Sequence, residues 1–240
     1  MTTRFNELGL PIGPELPDWT ARPRPPRVVM QGRYCHVEPL DPELHAADLH
    51  AANSLDREGR MWTYLLSGPF ESYEAYRAWL ESKRGSEDPQ FFAFVDATRG
   101  RAVGLGSYLR IDPANGSVEV GHLQYSPLMQ RTAVATEAMY LMMKTAFDLG
   151  YRRYEWKCDA LNARSRRAAE RLGFTFEGVF RQAVVYKGRN RDTAWFSIID
   201  SEWPQLDAAY RRWLDPANFD AAGRQVESLV AIREQQPTSR

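Results

Sequence analysis

No surplus of charge, no long apolar run and very little cysteine mark this 240-residue chain. Lysine plus arginine and aspartate plus glutamate number 31 each. No net field therefore draws the chain to nucleic acid or to an anionic membrane, and neither is expected as a partner. The longest uninterrupted apolar run, "AMYLMM" at 138–143, is far too short to span a bilayer. The opening "MTTRFNELGLPIGPELPDW" holds no apolar stretch followed by a cleavage site, so export is not expected and the cytoplasm is the default location. The two cysteines, Cys35 and Cys158, lack metal-ligand spacing and fall in strand-like segments. Buried reduced thiols are expected, and no metal.

What is present is enough for a sizeable core, at 43% hydrophobic and 12% aromatic residues. The length suits one domain with extensions. Residues 1–30 carry Pro11, Pro14, Pro17, Pro23, Pro25 and Pro26, too many for a regular element. They read as an extended arm laid over the domain, with Trp19 as its anchor, or as a disordered leader. "RYCHVEPL" (33–40) alternates as a strand does. Helical spacing follows at 42–55, with Asp41 as N-cap, and at 72–84, with Ser72 as N-cap.

Strands are expected at 90–96, 101–111 and 117–125, linked by the turn-rich "ATRG" and "DPANG" as an antiparallel meander. A helix over 133–149 stops at Gly150. A strand at 152–158 leads to a helix from Asn162 as N-cap to Gly173, and strands at 174–180 and 192–199 close the sheet. This mixed order predicts an α+β fold, about seven mostly antiparallel strands flanked by helices. Beyond residue 200, a helix bearing Leu206, Tyr210, Trp213 and Leu214 has an apolar stripe that needs a docking surface, and "REQQPTSR" (233–240) reads as a frayed tail.

The stretch "YSPLMQRTAVATEAM" (125–139) runs from strand into helix through a tight turn of small residues. A helix N-terminus exposes unpaired backbone N–H groups and the positive end of the macrodipole, and small residues let a phosphate approach closely. Alone, such a turn is equally well a plain structural one. Followed by a strand and by "NARSRRAAERLGF", it resembles the GNAT superfamily of acetyl-CoA-dependent N-acetyltransferases. Their pyrophosphate loop reads Gln/Arg-x-x-Gly-x-Gly/Ala, and Gln130, Ala133 and Ala135 hold those places here, alanine standing for glycine. Residues 162–200 are similar to the RimJ/RimL branch in Asn162, Ser165, Ala169, Leu172 to Phe174, Glu177, Gly178, Arg181, Gly188 and Asp192. One departure stands out: Val184 follows Gln182 and Ala183 where RimL-type enzymes carry a glutamate, a proposed base. The resemblance covers about 31–200 and leaves out the arm and the segment 201–240.

The resemblance implies acetyl-CoA as cofactor, held by Tyr125, by the turn Gln130, Arg131, Thr132, Ala133, Val134, Ala135 and Thr136, and by Asn162, Ser165 and Arg167. Asn162 would bond the pantetheine arm, or serve only as an N-cap, or do both. Ser165 would lie near the thioester sulfur, or be a plain surface serine. Arg164, Arg166, Arg167 and Arg171 would meet the ribose phosphate or form a solvated face, with Arg166 and Glu170 at ion-pair spacing. Glu119 and His122 are the remaining base candidates. They sit three apart on a strand, so only a bulge brings both to one side. Met61, Trp62, Tyr64 and Phe70, between the first two helices, form either an aromatic acceptor wall or core packing. The function implied is acetyl transfer to a primary amine of a small molecule or to an N-terminal α-amine, by a monomer or homodimer. The alternative is a non-catalytic acyl-CoA sensor on the same fold.

Overall fold

The computed structural model describes residues 4–235; the last part of the expected tail lies outside the described residues. In chain order the elements are β1 (Arg4–Phe5), β2 (Pro11–Ile12), β3 (Met30–Gln31), β4 (Cys35–Pro39), α1 (Pro42–Asn53), α2 (Tyr73–Glu81), β5 (Gln90–Asp96), β6 (Arg101–Asp112) and β7 (Ser117–Tyr125). Then come α3 (Ala133–Asp148), β8 (Arg153–Asp159), α4 (Ala163–Leu172), β9 (Thr175–Tyr186), β10 (Arg189–Ile199), α5 (Trp203–Trp213) and α6 (Leu229–Glu234). Helix starts follow local chemistry: the side chains of Asp41, Ser72 and Asn162 each accept a backbone N–H of the first turn.

Eight strands form one sheet in the order β3-β4-β5-β6-β7-β8-β10-β9, one more than expected because Met30 and Gln31 pair with β4. The fold is the expected mixed α+β type. The last two strands run longer than their apolar patterns, because a tight turn at Lys187 and Gly188, both at positive φ, extends the hairpin. Every neighbouring pair in this sheet is antiparallel except β7 and β8. Strand β5 is buried along its whole length, so the sheet is covered on both faces. Phe91, Ala93 and Val95 face α1 and α2, with Leu49, Trp62, Tyr76 and Leu80. Phe92 and Phe94 face the larger core of α3 and the helices beyond it.

The proline-rich arm crosses the sheet's end: Trp19 Nε1 donates to the Ala114 carbonyl at 2.8 Å, and Arg22 lies 4.3 Å over the indole. Helix α5 puts its stripe on α3, where Tyr140 stacks on Trp203 and Tyr210, and Tyr210 Oη donates to the Leu172 carbonyl at 2.7 Å.

Two irregularities open the sheet at its centre. The parallel ladder of β7 and β8 runs only from Ser117 and Arg153 to Val120 and Trp156. Just beyond, β7 bulges against β6: the register passes from Ser107 opposite Gly121 to Leu105 opposite Gln124, with His122 at φ 52°. The strands therefore part, and the gap between them becomes a cavity.

Candidate active site

The cavity measures about 1970 Å³ and runs from the parted strands to the N-terminal ends of α3 and α4. At α3 the turn is fixed by its own bonds. Ser126 accepts the N–H groups of Met129 and Gln130 on its carbonyl, and Gln130 Nε2 donates to the Tyr125 carbonyl at 2.8 Å. Arg131 takes the left-handed conformation, φ 63°, which turns the chain into the helix. Thr132 occupies the N-cap position, yet its hydroxyl donates back to Met129 O at 2.6 Å and caps no N–H. Among the described residues the first-turn N–H groups of this helix thus have no side-chain cap, and no acidic residue stands in that turn. Such an end is an anion site in waiting.

At α4, Asn162 Oδ1 accepts the Ser165 N–H at 3.1 Å, and Ser165 Oγ accepts the Trp156 indole N–H at 3.0 Å. With that lone pair engaged, the hydroxyl proton is free to donate. The Cys158 thiol lies beside it; burial raises its pKa, and the Ser165 hydroxyl and the Arg191 charge oppose that rise. Arg167 borders the cavity, whereas Arg166 turns to the Ala160 carbonyl and to the Phe176 ring. The expected Arg166–Glu170 ion pair is not formed among the described residues, because the guanidinium is taken up there.

The bulge brings Glu119 and His122 to the same cavity. Glu119 is buried, with Oε2 2.8 Å from Lys157 Nζ and 3.0 Å from Arg110 Nε. Burial raises its pKa and the two cations pull it back. Lys157 is itself buried, 2.7 Å from Glu155 Oε2 and 3.7 Å over the Trp195 ring. His122 Nδ1 is 2.9 Å from Ser107 Oγ, and burial lowers its pKa to about 4, so the imidazole is neutral at pH 7.

Most sequence candidates meet in this space: Met61, Tyr64, Tyr125, Gln130, Arg131, Thr132, Ala133, Ala135, Thr136, Asn162 and Ser165 all line it. Three do not. Trp62 is buried beneath its loop, in edge contact with Phe70 at 5.5 Å, and both belong to the core under α1 and α2. Their aromatic character serves packing, which corrects the expectation of an acceptor wall for these two. The Val134 side chain points into the larger core, leaving only its backbone at the turn.

Sequence reasoning missed several lining residues. Trp213, Phe219, Arg224 and Gln225 border the same cavity, held by Trp213 Nε1 donating to Gln225 Oε1 at 2.9 Å and by the Trp213–Phe219 contact at 5.2 Å. The apolar stripe of α5 signalled docking but not its place. Lys157 and Arg110 carry no local signal, since strand pairing alone brings them to Glu119.

Residues 36–175 match the family model described as an acetyltransferase (GNAT) domain. A GCN5-related N-acetyltransferase from Brucella melitensis is 49% identical, with a TM-score of 0.89, over 91% of this chain and 100% of that one. A GNAT-family protein from Chromobacterium violaceum is 40% identical, with a TM-score of 0.76, over 81% of this chain and 98% of that one. RimL, a ribosomal L7/L12 α-N-protein acetyltransferase, shares 20% identity at a TM-score of 0.62 over 71% of this chain and 93% of that one, a likeness of fold alone. Comparison with curated proteins returns no match.

Proposed function

The chain belongs to the GNAT acetyltransferase family, and from that premise we propose that it is an acetyl-CoA-dependent N-acetyltransferase acting on an α-amine or similar low-pKa amine. The observation that carries the cofactor assignment is the first turn of α3: its N–H groups have no side-chain cap and its small residues line the cavity. Ala133, Ala135 and Thr136 at that turn, with Arg131 and Arg167 beside it, suit a pyrophosphate. Asn162 and Ser165 suit the arm that leads inward from it. When bound, acetyl-CoA supplies an activated acetyl thioester. Ser165 Oγ, which accepts the Trp156 indole N–H and keeps its own proton as a donor, suits donation to a departing sulfur.

The acceptor must present a neutral amine. A lysine ε-amine with pKa about 10.4 is neutral about one time in two thousand at pH 7, an α-amine with pKa about 8 about one time in ten. An α-amine therefore asks little of a base. That matches the wall, where Val184 stands in place of a carboxylate and Glu119 is shared between Lys157 and Arg110. Glu119 serves best through a bridging water, and neutral His122 as a polar contact to the amine.

Calorimetry with acetyl-CoA tests the assignment on Ala135→Glu and on Ala133→Glu at the half-buried neighbouring position. Both carboxylates oppose the phosphates, so affinity is expected to fall at least about tenfold. Unchanged affinity in either folded variant refutes the site. A thiol-release panel of amino acids, peptides, polyamines and aminoglycosides tests the acceptor; a preference for spermidine or a lysine ε-amine refutes that part.

A further inference from the structure

The cations bordering the cavity divide by what they face. Arg60, Arg110, Lys157 and Arg224 each have a carboxylate within ion-pair distance. Arg131, Arg164, Arg167 and Arg171 stand at the α3 and α4 end, where phosphates belong, and Arg171 already bonds Thr136 Oγ1 at 3.0 Å. That leaves Arg191, on β10. Among the described residues no carboxylate pairs with it; its hydrogen bond goes from Nε to Thr193 Oγ1 at 3.2 Å. The two terminal nitrogens, a fork that matches a carboxylate, remain unengaged among the described residues.

Nearby acids are committed elsewhere. Asp159 accepts the Tyr186 hydroxyl at 2.8 Å and the Leu161 N–H at 2.9 Å, and Asp192 accepts the Gln182 N–H at 2.8 Å and Asn190 Nδ2 at 3.0 Å. A half-buried guanidinium without a counter-charge gains from an incoming anion more than an exposed one does.

The surroundings place Arg191 with the acceptor. Directly across the hairpin from it is Val184, just before the ladder shifts register. The loop that carries Met61 and Tyr64 is tied over this hairpin, Arg189 donating to the Thr63 carbonyl at 2.9 Å and Lys187 to the Trp62 carbonyl at 2.8 Å, while Tyr64 Oη donates to the Leu161 carbonyl, in the turn before α4, at 3.4 Å. The charge of Arg191 is felt at Cys158, the neighbour of Ser165. Beside Val184, the cavity lining includes the apolar Met61, Leu65, Leu66 and Phe180, the last opposite Thr193 on the same hairpin.

We propose that Arg191 binds a carboxylate on the acceptor, so that the amine acetylated belongs to a free amino acid with an apolar side chain. This rests on the acetyltransferase reading and narrows it, because a peptide N-terminus or a polyamine offers no carboxylate close to its amine; a free carboxylate raises the pKa of the amine beside it, and pairing with Arg191 offsets that charge and returns the amine toward the low-pKa class. Arg191 then decides specificity through binding and takes no part in the chemistry.

The test is calorimetry on the full chain saturated with CoA, using L-phenylalanine and L-leucine against phenethylamine and isoamylamine, their counterparts without the carboxylate. The acids are expected to bind at least about tenfold more tightly than the amines. Arg191→Gln is expected to remove that advantage, and Arg191→Lys to keep part of it. Both variants should leave the affinities for the amines and for CoA unchanged. Equal affinity of acid and amine for the wild type, no binding of either, or an advantage that survives Arg191→Gln overturns the proposal. Should the acids bind through Arg191 while no amine releases thiol from acetyl-CoA, the transferase reading fails and the carboxylate site stands.

Discussion

Replacing His122 with glutamine and measuring stability between pH 7 and pH 5 isolates one half-buried imidazole. Its ordinary pKa of 6.5 is lowered to about 4, first by burial and then by the Lys83 charge, with Asp88 acting the other way. The folded state thus resists protonation while the unfolded chain accepts it. As pH falls below 6.5 the unfolded state gains protons, so the stability tied to the neutral ring is present above that pH and is lost progressively toward pH 4. From pH 7 to pH 5 the loss amounts to about 2 kcal/mol. Glutamine keeps a polar side chain near Ser107 but cannot titrate. Urea melts of both proteins at steps of half a pH unit give the comparison, other groups cancelling in the difference. The wild-type curve is expected to fall more steeply, by about 2 kcal/mol over this interval. Parallel curves would mean that the ring is protonated as easily in the fold as in water, and its place in a desolvated cavity would be wrong.

Glu137 offers a stability test away from the chemistry. It is buried and accepts the backbone N–H groups of Arg33, Tyr34 and Cys35 at 2.9, 2.5 and 2.7 Å, tying the start of β4 to α3. Glu137→Ala leaves those donors unmatched and is expected to cost about 3–5 kcal/mol, a fall in Tm of about 10 °C by calorimetry; a change under 1 kcal/mol would refute the anchor. At the start of α4 the two polar residues are expected to separate. Asn162→Ala loses about 1 kcal/mol of stability and weakens acetyl-CoA binding, whereas Ser165→Ala lowers kcat with cofactor affinity kept. A kinetically silent Ser165→Ala reduces that residue to a partner for Trp156.

The site divides along the same line as its interactions. The α3 turn and the Asn162–Ser165 pair are legible because each is a local device: a strand running into a helix, an N-cap, a hydroxyl one turn inside. What no local pattern reports is that Thr132, at the N-cap position, spends its hydroxyl on the Met129 carbonyl and leaves the helix end uncapped. Trp62 and Phe70 were legible as aromatic but not as inward. Gly68, with φ +64° and an added Cβ 2.4 Å from the Trp62 ring, lets the loop fold its tryptophan under itself. No periodicity reports such a turn of the chain.

Segment order and amphipathic spacing, together with the glycines and caps that end each element, determined the α+β class and most of the strands from sequence alone. Those signals act within a few residues, through backbone sterics and the burial of one face. What tertiary structure alone decided are the relations between distant segments. Glu119 finds Lys157 on the strand parallel to its own, one residue past the last ladder pair. His122 is turned into the cavity by a bulge that only pairing with β6 can define, and the segment after α5 returns to border the same cavity. Among the described residues Arg191 has no carboxylate partner, Asp159 and Asp192 being bound elsewhere. A charge's partner is fixed by through-space distance and by the water excluded around it, and neither quantity is written along the chain.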